Sequence, residues 1–463
     1  MYRDLSRLVM YRELGQDSII TKFGEILREF DSREYDKENL ISRIYEEIHK
    51  LLKVATSYGF DRNLWQDYVT FVLMTNENPF SLTCERKQAE NGSVNGFVLH
   101  DMEIFNRLFM YDFSRLEKTL AINCFTVVAN YDSIEKRQQM FNKGVSQRIR
   151  ELSDKIREGI EGSSSEKAAA ENTFHLILDF YRDYGVGMIG LNKAFRTISG
   201  PNLRSEDNFS RSGLSSSWNT YYGEDIQFIP INNTDDVRLS DLIGYDIQKQ
   251  KLRENTEAFL AGKPASNVLL FGDAGTGKST SIKALITEYY DKGLRMIELY
   301  KHQMRDLSTI ISSVKSRNYK FIIYMDDLSF EEDETEYKYL KAVIEGGLET
   351  RPDNVLIYAT SNRRNLIRET WNDINDIELD KHHSDTVQEK LSLVSRFGIT
   401  IGYIRPNKKD FEAIVSGLAE RHPEITMSKE KLLAEATKWE ISHGGMSGRV
   451  AQQFIDYIVS VCS

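Results

Sequence analysis

The segment Gly272-Asp-Ala-Gly-Thr-Gly-Lys-Ser279 matches G-x-x-x-x-G-K-[ST] at every fixed position. Its residue types suit one chemistry, the cradling of a phosphate chain. Gly272, Gly275 and Gly277 permit a main-chain bend tight enough to aim several N–H groups at phosphate oxygens. The helix-compatible stretch that follows adds the partial positive charge of its N-terminus. Lys278 supplies a cation for β- and γ-phosphates, and the Ser279 hydroxyl can ligate Mg²⁺. Asp273, Ala274, Thr276 and Thr280 complete the expected binding loop. A chance glycine turn with a surface lysine would also fit the bare string. The apolar run before it and the helical text after it argue for the phosphate loop.

A second group stands about fifty residues downstream, a spacing one βαβ unit can span. Phe321-Ile-Ile-Tyr-Met-Asp-Asp327 reads as a buried strand ending in two acids. Asp326 would hold Mg²⁺, directly or through water, because hard cations take oxygen ligands. Asp327 is spaced to orient or deprotonate an attacking water. Taken alone, an acid pair at a strand end also fits a helix N-cap or a solvated loop. Downstream of a phosphate loop the metal and water roles become the better reading.

Such groups need a rigid frame. Short apolar runs at 268–271, 296–300, 321–325 and 355–359 predict strands, with helical text at 279–290, 304–315 and 337–348. Strand–helix alternation predicts a parallel sheet covered by helices, and the text after about residue 404 returns to helix. Only seven prolines occur, and Pro79 is alone in the first 200 residues, which permits long helices there. Apolar stripes at 3–4 residue spacing predict helices around 19–30, 40–52 and 102–109. The stripe Val145, Ile149, Leu152, Ile156 and Ile160, a break at 162–165 and a restart toward Tyr184 predict a helical hairpin. An oligomerising coiled coil is the alternative, over only about two heptads. Residues 201–235 turn Ser/Asn/Gly-rich and read as a linker, with Trp218, Tyr221 and Tyr222 available to dock on a neighbouring surface.

Composition narrows the classes. Of 463 residues, 40% are hydrophobic and 28% charged, an ordinary globular balance. No apolar run approaches the roughly 18–20 residues of a bilayer span, and the charged start MYRDLSRLVMYRELG lacks the apolar core of a secretory signal. Cys84, Cys124 and Cys462 lie too far apart in sequence for a metal knuckle and predict buried thiols in a reducing, cytoplasmic compartment. A net charge of −10 gives no support to broad nonspecific nucleic-acid binding, while leaving a local basic groove open.

The text resembles the AAA+ ATPases and, within them, the bacterial ATP-binding proteins of domain-of-unknown-function family 815. The resemblance rests on the phosphate loop and on DLIGYDIQKQ (241–250), Asn255-Thr256, GKPA (262–265), MDDLSF (325–330), YLKAVIEGGLE (339–349), RPDNVLIYATSNRRNL (351–366), EKLSLVSRFG (389–398) and SGRVAQQF (447–454). It covers about residues 236–463; in the first half only 184–187 and 190–195 look familial. The resemblance implies an α/β P-loop NTPase (AAA+) core with a parallel sheet and a C-terminal helical lid, preceded by a mainly α-helical N-terminal domain. The expected division is 1–200 helical domain, 201–235 linker, 236–403 core and 404–463 lid. It also implies roles. Asn362 fits a polar sensor beside the lytic water, Arg396 an arginine finger reaching a neighbouring subunit's γ-phosphate, and Arg449 a second sensor on the lid. Ile243 and Gly244 lie where such proteins pack the adenine. Each has a plainer reading: a turn-forming Asn362, a surface Arg396, and an Arg449 bound to a carboxylate.

The implied activity is ATP hydrolysis with Mg²⁺ by a homo-oligomer that remodels or regulates a protein or nucleoprotein partner. A weakly hydrolysing ATP-dependent switch and a nucleic-acid loader are the alternatives. Two departures bear on them. Aspartate stands at 327 where many AAA+ motors carry glutamate, with Glu331 and Glu332 as nearby substitutes. No aromatic–hydrophobic–glycine triplet lies between the loop and Asp326, which weakens peptide threading. The bland readings hold for the rest: His382-His383 beside Asp380 and Asp385 as a solvated loop, the acidic run 331–336 as a solvated face, and Arg363, Arg364 and Arg368 as a basic patch or an interface. No arrangement for covalent catalysis offers itself.

Overall fold

The computed structural model describes residues 1–463 apart from 16, 87–91, 93, 133–142, 200–225, 232–233, 235, 331–333, 346–351, 364–365, 367–392 and 463. The chain forms two compact units, Met1–Asn192 with Ile198–Thr234 and Lys193–Thr197 with Asp235–Ser463.

The first unit is built from helices, the longer ones being Ile19–Ser32 (α1), Lys37–Tyr58 (α2), Leu64–Thr75 (α3), Asn95–Phe109 (α4), Lys143–Glu161 (α5) and Glu166–Tyr184 (α6). Side chains start them where the text changes period: Ser18, Asp36, Asn63 and Ser165 each accept a first-turn N–H. Helix α1 buries Ile19, Ile20, Phe23, Ile26, Leu27 and Phe30, the predicted stripe. Helix α3 is buried nearly all round, as expected of a helix at the centre of a bundle. In the α5–α6 hairpin Val145, Ile149, Leu152 and Ile156 are all buried within the one chain, so that stripe is core. Buried polar groups are tied in as well. The Asp101 carboxylate accepts the N–H groups of Val9, Met10 and Tyr11 at 2.7–3.0 Å, and Tyr181 Oη donates to the Leu73 carbonyl at 2.6 Å. Cys84 and Cys124 are buried free thiols, pushed up to about 12 and about 11 by burial.

The second unit is α/β. Its strands are Ala194–Ser199 (β1, of which 194–197 belong here), Val268–Gly272 (β3), Leu294–Glu298 (β4), Lys320–Met325 (β5), Val355–Ser361 (β6) and Ile399–Tyr403 (β7); Ile226–Pro230 (β2) belongs to the first unit. Within the second unit they lie in the order β1-β4-β5-β6-β3-β7, with parallel pairing throughout. The register sets Val268 beside Tyr358 and Ile399, and Phe321 beside Val355. Strand β6 is buried at every residue, the pattern of a strand covered on both faces. Helices Asp246–Leu260 (α7), Lys278–Tyr289 (α8), Leu307–Val314 (α9) and Glu336–Glu345 (α10) make the crossovers. The strand after β3, β4, lies beyond β6 and β5, and the strand after β6, β7, lies on the far side of β3. Adjacent strands whose connections leave in opposite directions open a crevice at their carboxyl ends.

Three further helices, Lys408–Ala419 (α11), Lys429–Ser442 (α12) and Gly448–Cys462 (α13), close around their own small core of Phe411, Ile414, Val415, Leu432, Val450, Phe454 and Ile458. Ile243 packs against that core. Among the described residues no helix is long and apolar enough to cross a membrane.

Candidate nucleotide site

A cavity of about 750 Å³ opens over the crevice. Its walls come from 237–245, from the loop after β3, from the ends of β5 and β6, and from lid helices α11 and α13. That volume suits a nucleotide-sized ligand.

The loop leaves β3 in a conformation that excludes side chains. Gly272 has φ 134°, and a Cβ there would stand 2.0 Å from the Tyr403 carbonyl oxygen of β7. Gly275 has φ 76° and admits the lid: its carbonyl accepts the Arg449 N–H at 3.1 Å, with Ser447 Oγ 3.0 Å from where its Cβ would be. Ala274 to Thr280 line the cavity, while Gly272 and Asp273 do not. Asp273 turns its carboxylate to the Arg405 N–H at 3.0 Å.

Lys278 begins α8 and places all three of its ammonium protons on oxygen: the Gly272 and Asp273 carbonyls at 2.8 and 2.7 Å and Asn362 Oδ1 at 3.0 Å. Burial pulls this ammonium below the ordinary lysine value, against the opposing charges of Asp327, Asp273 and Asp326. Asn362, just past β6, donates through Nδ2 to Asp327 Oδ1 at 2.6 Å. A continuous path thus runs Lys278–Asn362–Asp327. Beside it lies a second one. Asp326 Oδ1 accepts from both Ser279 Oγ and Thr360 Oγ1 at 2.6 Å, and Thr360 Oγ1 in turn accepts the Asp327 N–H at 2.8 Å. Burial raises the Asp326 carboxyl, but the Ser279 and Thr360 hydroxyls, with Tyr324 close by, outweigh it and hold it below the usual carboxylate range. Asp327 sits at φ 48°, a left-handed backbone that aspartate tolerates better than most residues.

The donor set fits Mg²⁺. Ser279 and Asp326 present hard oxygens at one point, and magnesium commonly keeps its remaining ligands as water. Among the described residues no cluster of three or more His, Cys, Asp or Glu is placed to hold a metal.

The sequence-expected residues fall into two sets. Ile243, the loop from Ala274, Asp326, Asp327, Asn362 and Arg449 line one cavity. Gly244 does not line it; its neighbour Tyr245 does, stacked on Tyr403 with ring centroids 5.0 Å apart. Arg396 stands apart, before the amino end of β7, in an ion pair with Glu345. Glu331, Glu332, Arg364, Arg368, Asp380, His382, His383, Asp385, Trp218, Tyr221 and Tyr222 lie outside the described residues. From the acidic run, Glu334 pairs with Lys301. Sequence reasoning missed Thr360, Tyr245, Arg421 and Gln452, all of which line the cavity. Thr360 carries no motif of its own. It follows the Met325–Ala359 pair by one residue on β6, so only the strand register puts it against Asp326.

A phosphate-type loop over a central parallel strand, faced by acids from β5 and roofed by three helices, gives the second unit the α/β P-loop NTPase fold of the AAA+ class. The family model described as "Protein of unknown function (DUF815)" matches residues 214–461, and the chain belongs to that family. Among solved structures, a point mutant of Thermotoga maritima RuvB is 16% identical with a TM-score of 0.34, covering 49% of this chain and 71% of that one. The Thermotoga maritima RuvB Holliday junction branch migration motor is 14% identical with a TM-score of 0.29, covering 48% and 71%. Both likenesses are distant, and the fold class stands on strand order and loop instead. No curated protein matches the chain.

Proposed function

We propose that residues 236–463 bind ATP with Mg²⁺ and hydrolyse it, in a cytoplasmic homo-oligomer that remodels or regulates a protein or nucleoprotein partner. In this reading 1–200 form a helical N-terminal domain joined by 201–235 to the core, 236–403, and the lid, 404–463. The observation that carries it is the hydrogen-bonded path Lys278–Asn362–Asp327 alongside Ser279–Asp326–Thr360. The loop amides and Lys278 neutralise the phosphate chain. Asp327 orients the attacking water and takes up its proton, and Asn362 holds the carboxylate in place. Bound Mg²⁺, held by Ser279 and Asp326, supplies charge to the phosphoryl oxygens. Arg449 reaches the nucleotide from the lid. Arg396 serves the neighbouring subunit after leaving Glu345; its guanidinium stays charged and presents a planar donor fork.

The test is Mg²⁺-dependent phosphate release. Lys278→Ala is expected to remove it, and turnover unchanged in that variant would sink the proposal. In the same assay Arg396→Ala is expected to lower turnover with nucleotide affinity retained.

One observation favours a second reading, an ATP-dependent switch that hydrolyses slowly. The Asp327 carboxylate is already bonded to Asn362 at 2.6 Å, and its arm is a methylene shorter than glutamate's. Multiple turnover above about one per second would count against the switch, since it falls in the ordinary enzyme range.

A further inference from the structure

Asp273 carries the one negative side chain of the loop Gly272–Ser279, a charge that opposes a phosphate chain, and the residue does not line the cavity. Its main chain and its side chain hold different partners. The N–H donates to the Tyr403 carbonyl at the end of β7 at 3.0 Å. The carbonyl accepts Lys278 Nζ at 2.7 Å and Thr276 Oγ1 at 2.8 Å. The carboxylate reaches toward the lid: Oδ2 accepts the Arg405 N–H at 3.0 Å, and Oδ1 stands 3.8 Å from Arg405 Nε. Arg405 lies in the link 404–407 between β7 and α11, the helix that brings Ile414 and Leu418 to the cavity. The same link is held one residue earlier, where Tyr245 Oη donates to the Ile404 carbonyl at 2.9 Å.

One residue thus ties the lid's point of attachment to the carbonyl that holds Lys278. The two side chains are 45% and 56% exposed, so their ion pair adds little. The stronger element is the bond from the main-chain N–H to a charged acceptor, which needs an oxygen at 273 and no particular side chain at 405. Lids swing on a few link residues, and release of product often waits for them. To swing α11 away, the link must leave Asp273 or carry the loop with it.

We propose that Asp273 is a positioning residue that pins the lid to the phosphate loop and slows the release of bound nucleotide without touching it. The inference rests on the nucleotide-binding reading above and concerns how long that site keeps its ligand.

The experiment follows fluorescent N-methylanthraniloyl-ADP with Mg²⁺ by stopped flow on the full chain. Wild type is compared with Asp273→Ala, which has no acceptor, and with Asp273→Asn, which keeps one of the same reach. The Ala variant should release the nucleotide about tenfold faster, the scale of one hydrogen bond to a charged group, and should bind it no more slowly than wild type. In the Asn variant release should return to within about threefold of wild type, because the acceptor is restored. A loop that had lost its shape would slow association instead. Faster release with association kept, reversed by Asn, supports the inference. Unchanged release in the Ala variant, a parallel fall in association, or an Asn variant as fast as Ala overturns it. If wild type itself binds none of the ADP analogue, the nucleotide reading fails and takes this inference with it. That result is distinguishable because it appears before any variant is made.

Discussion

Thr360 uses its one hydroxyl twice, giving its proton to Asp326 Oδ1 and taking the Asp327 N–H on a lone pair. Thr360→Val keeps the shape and loses both bonds, leaving a main-chain donor unpaired at a cost of about 1–3 kcal/mol. Urea unfolding should register that loss, and phosphate release should fall by about tenfold or more as Asp327 loses its anchor. A different residue sets the pH response of the helical unit. Asp67 is 4% exposed; burial, opposed by the Asp61 N–H, lifts its carboxyl to about 6. Because this value lies above the ordinary 3.8, ionised Asp67 works against folding at neutral pH. The penalty fades as pH falls through 6 and is gone below the ordinary value. Asp67→Asn should therefore stabilise the protein near pH 7.5 by about 3 kcal/mol and give no advantage near pH 3, as read by unfolding curves at the two pH values.

At the scale of elements, the loop after β3 depends on contact with β7 as much as on its own glycines. Gly272→Ala would drive a methyl group into the Tyr403 carbonyl while holding a backbone that L-residues avoid. We expect a loss of at least about 2 kcal/mol and of nucleotide affinity, measurable by urea unfolding with and without ATP. Strands β3, β5 and β6 were legible because each is an apolar run buried on both sides. Strand β4 is displaced from the expected 296–300 to Leu294–Glu298. Leu294, buried at 0%, begins it, and Tyr300 instead opens a tight turn in which its N–H bonds to Gln303 Oε1 at 3.1 Å. The helix expected over 304–315 is a 3-10 segment followed by Leu307–Val314. Strand β1 escaped notice entirely. Its six residues follow helical text, and Ala194, Phe195 and Arg196 pair with Met296, Ile297 and Glu298 of β4, far along the chain.

For the whole molecule, two compact units predict two unfolding events. Calorimetric scans should show two transitions, with Mg²⁺ and nucleotide raising only that of the second unit. At a hundredfold excess over Kd the gain is about 2.7 kcal/mol. A single transition, or equal shifts in both, would contradict the assignment of the ligand to residues 235–463. Arg396 belongs to this scale too, since its expected role concerns a second copy of the chain, while within one chain it pairs with Glu345.

By itself the order of residues determined the phosphate loop, the acids ending the third apolar run and the change from helical to alternating text near the middle. Those are local properties, written in spacing and side-chain type over a few turns or one strand. Tertiary structure alone decided that Thr360 meets Asp326, that Tyr245 lines the cavity where Gly244 does not, and that Asn362 bridges Lys278 and Asp327. The physical reason is common to all three. Each depends on which strands lie side by side and in what register, and pairing between segments tens of residues apart leaves no trace in either segment read alone.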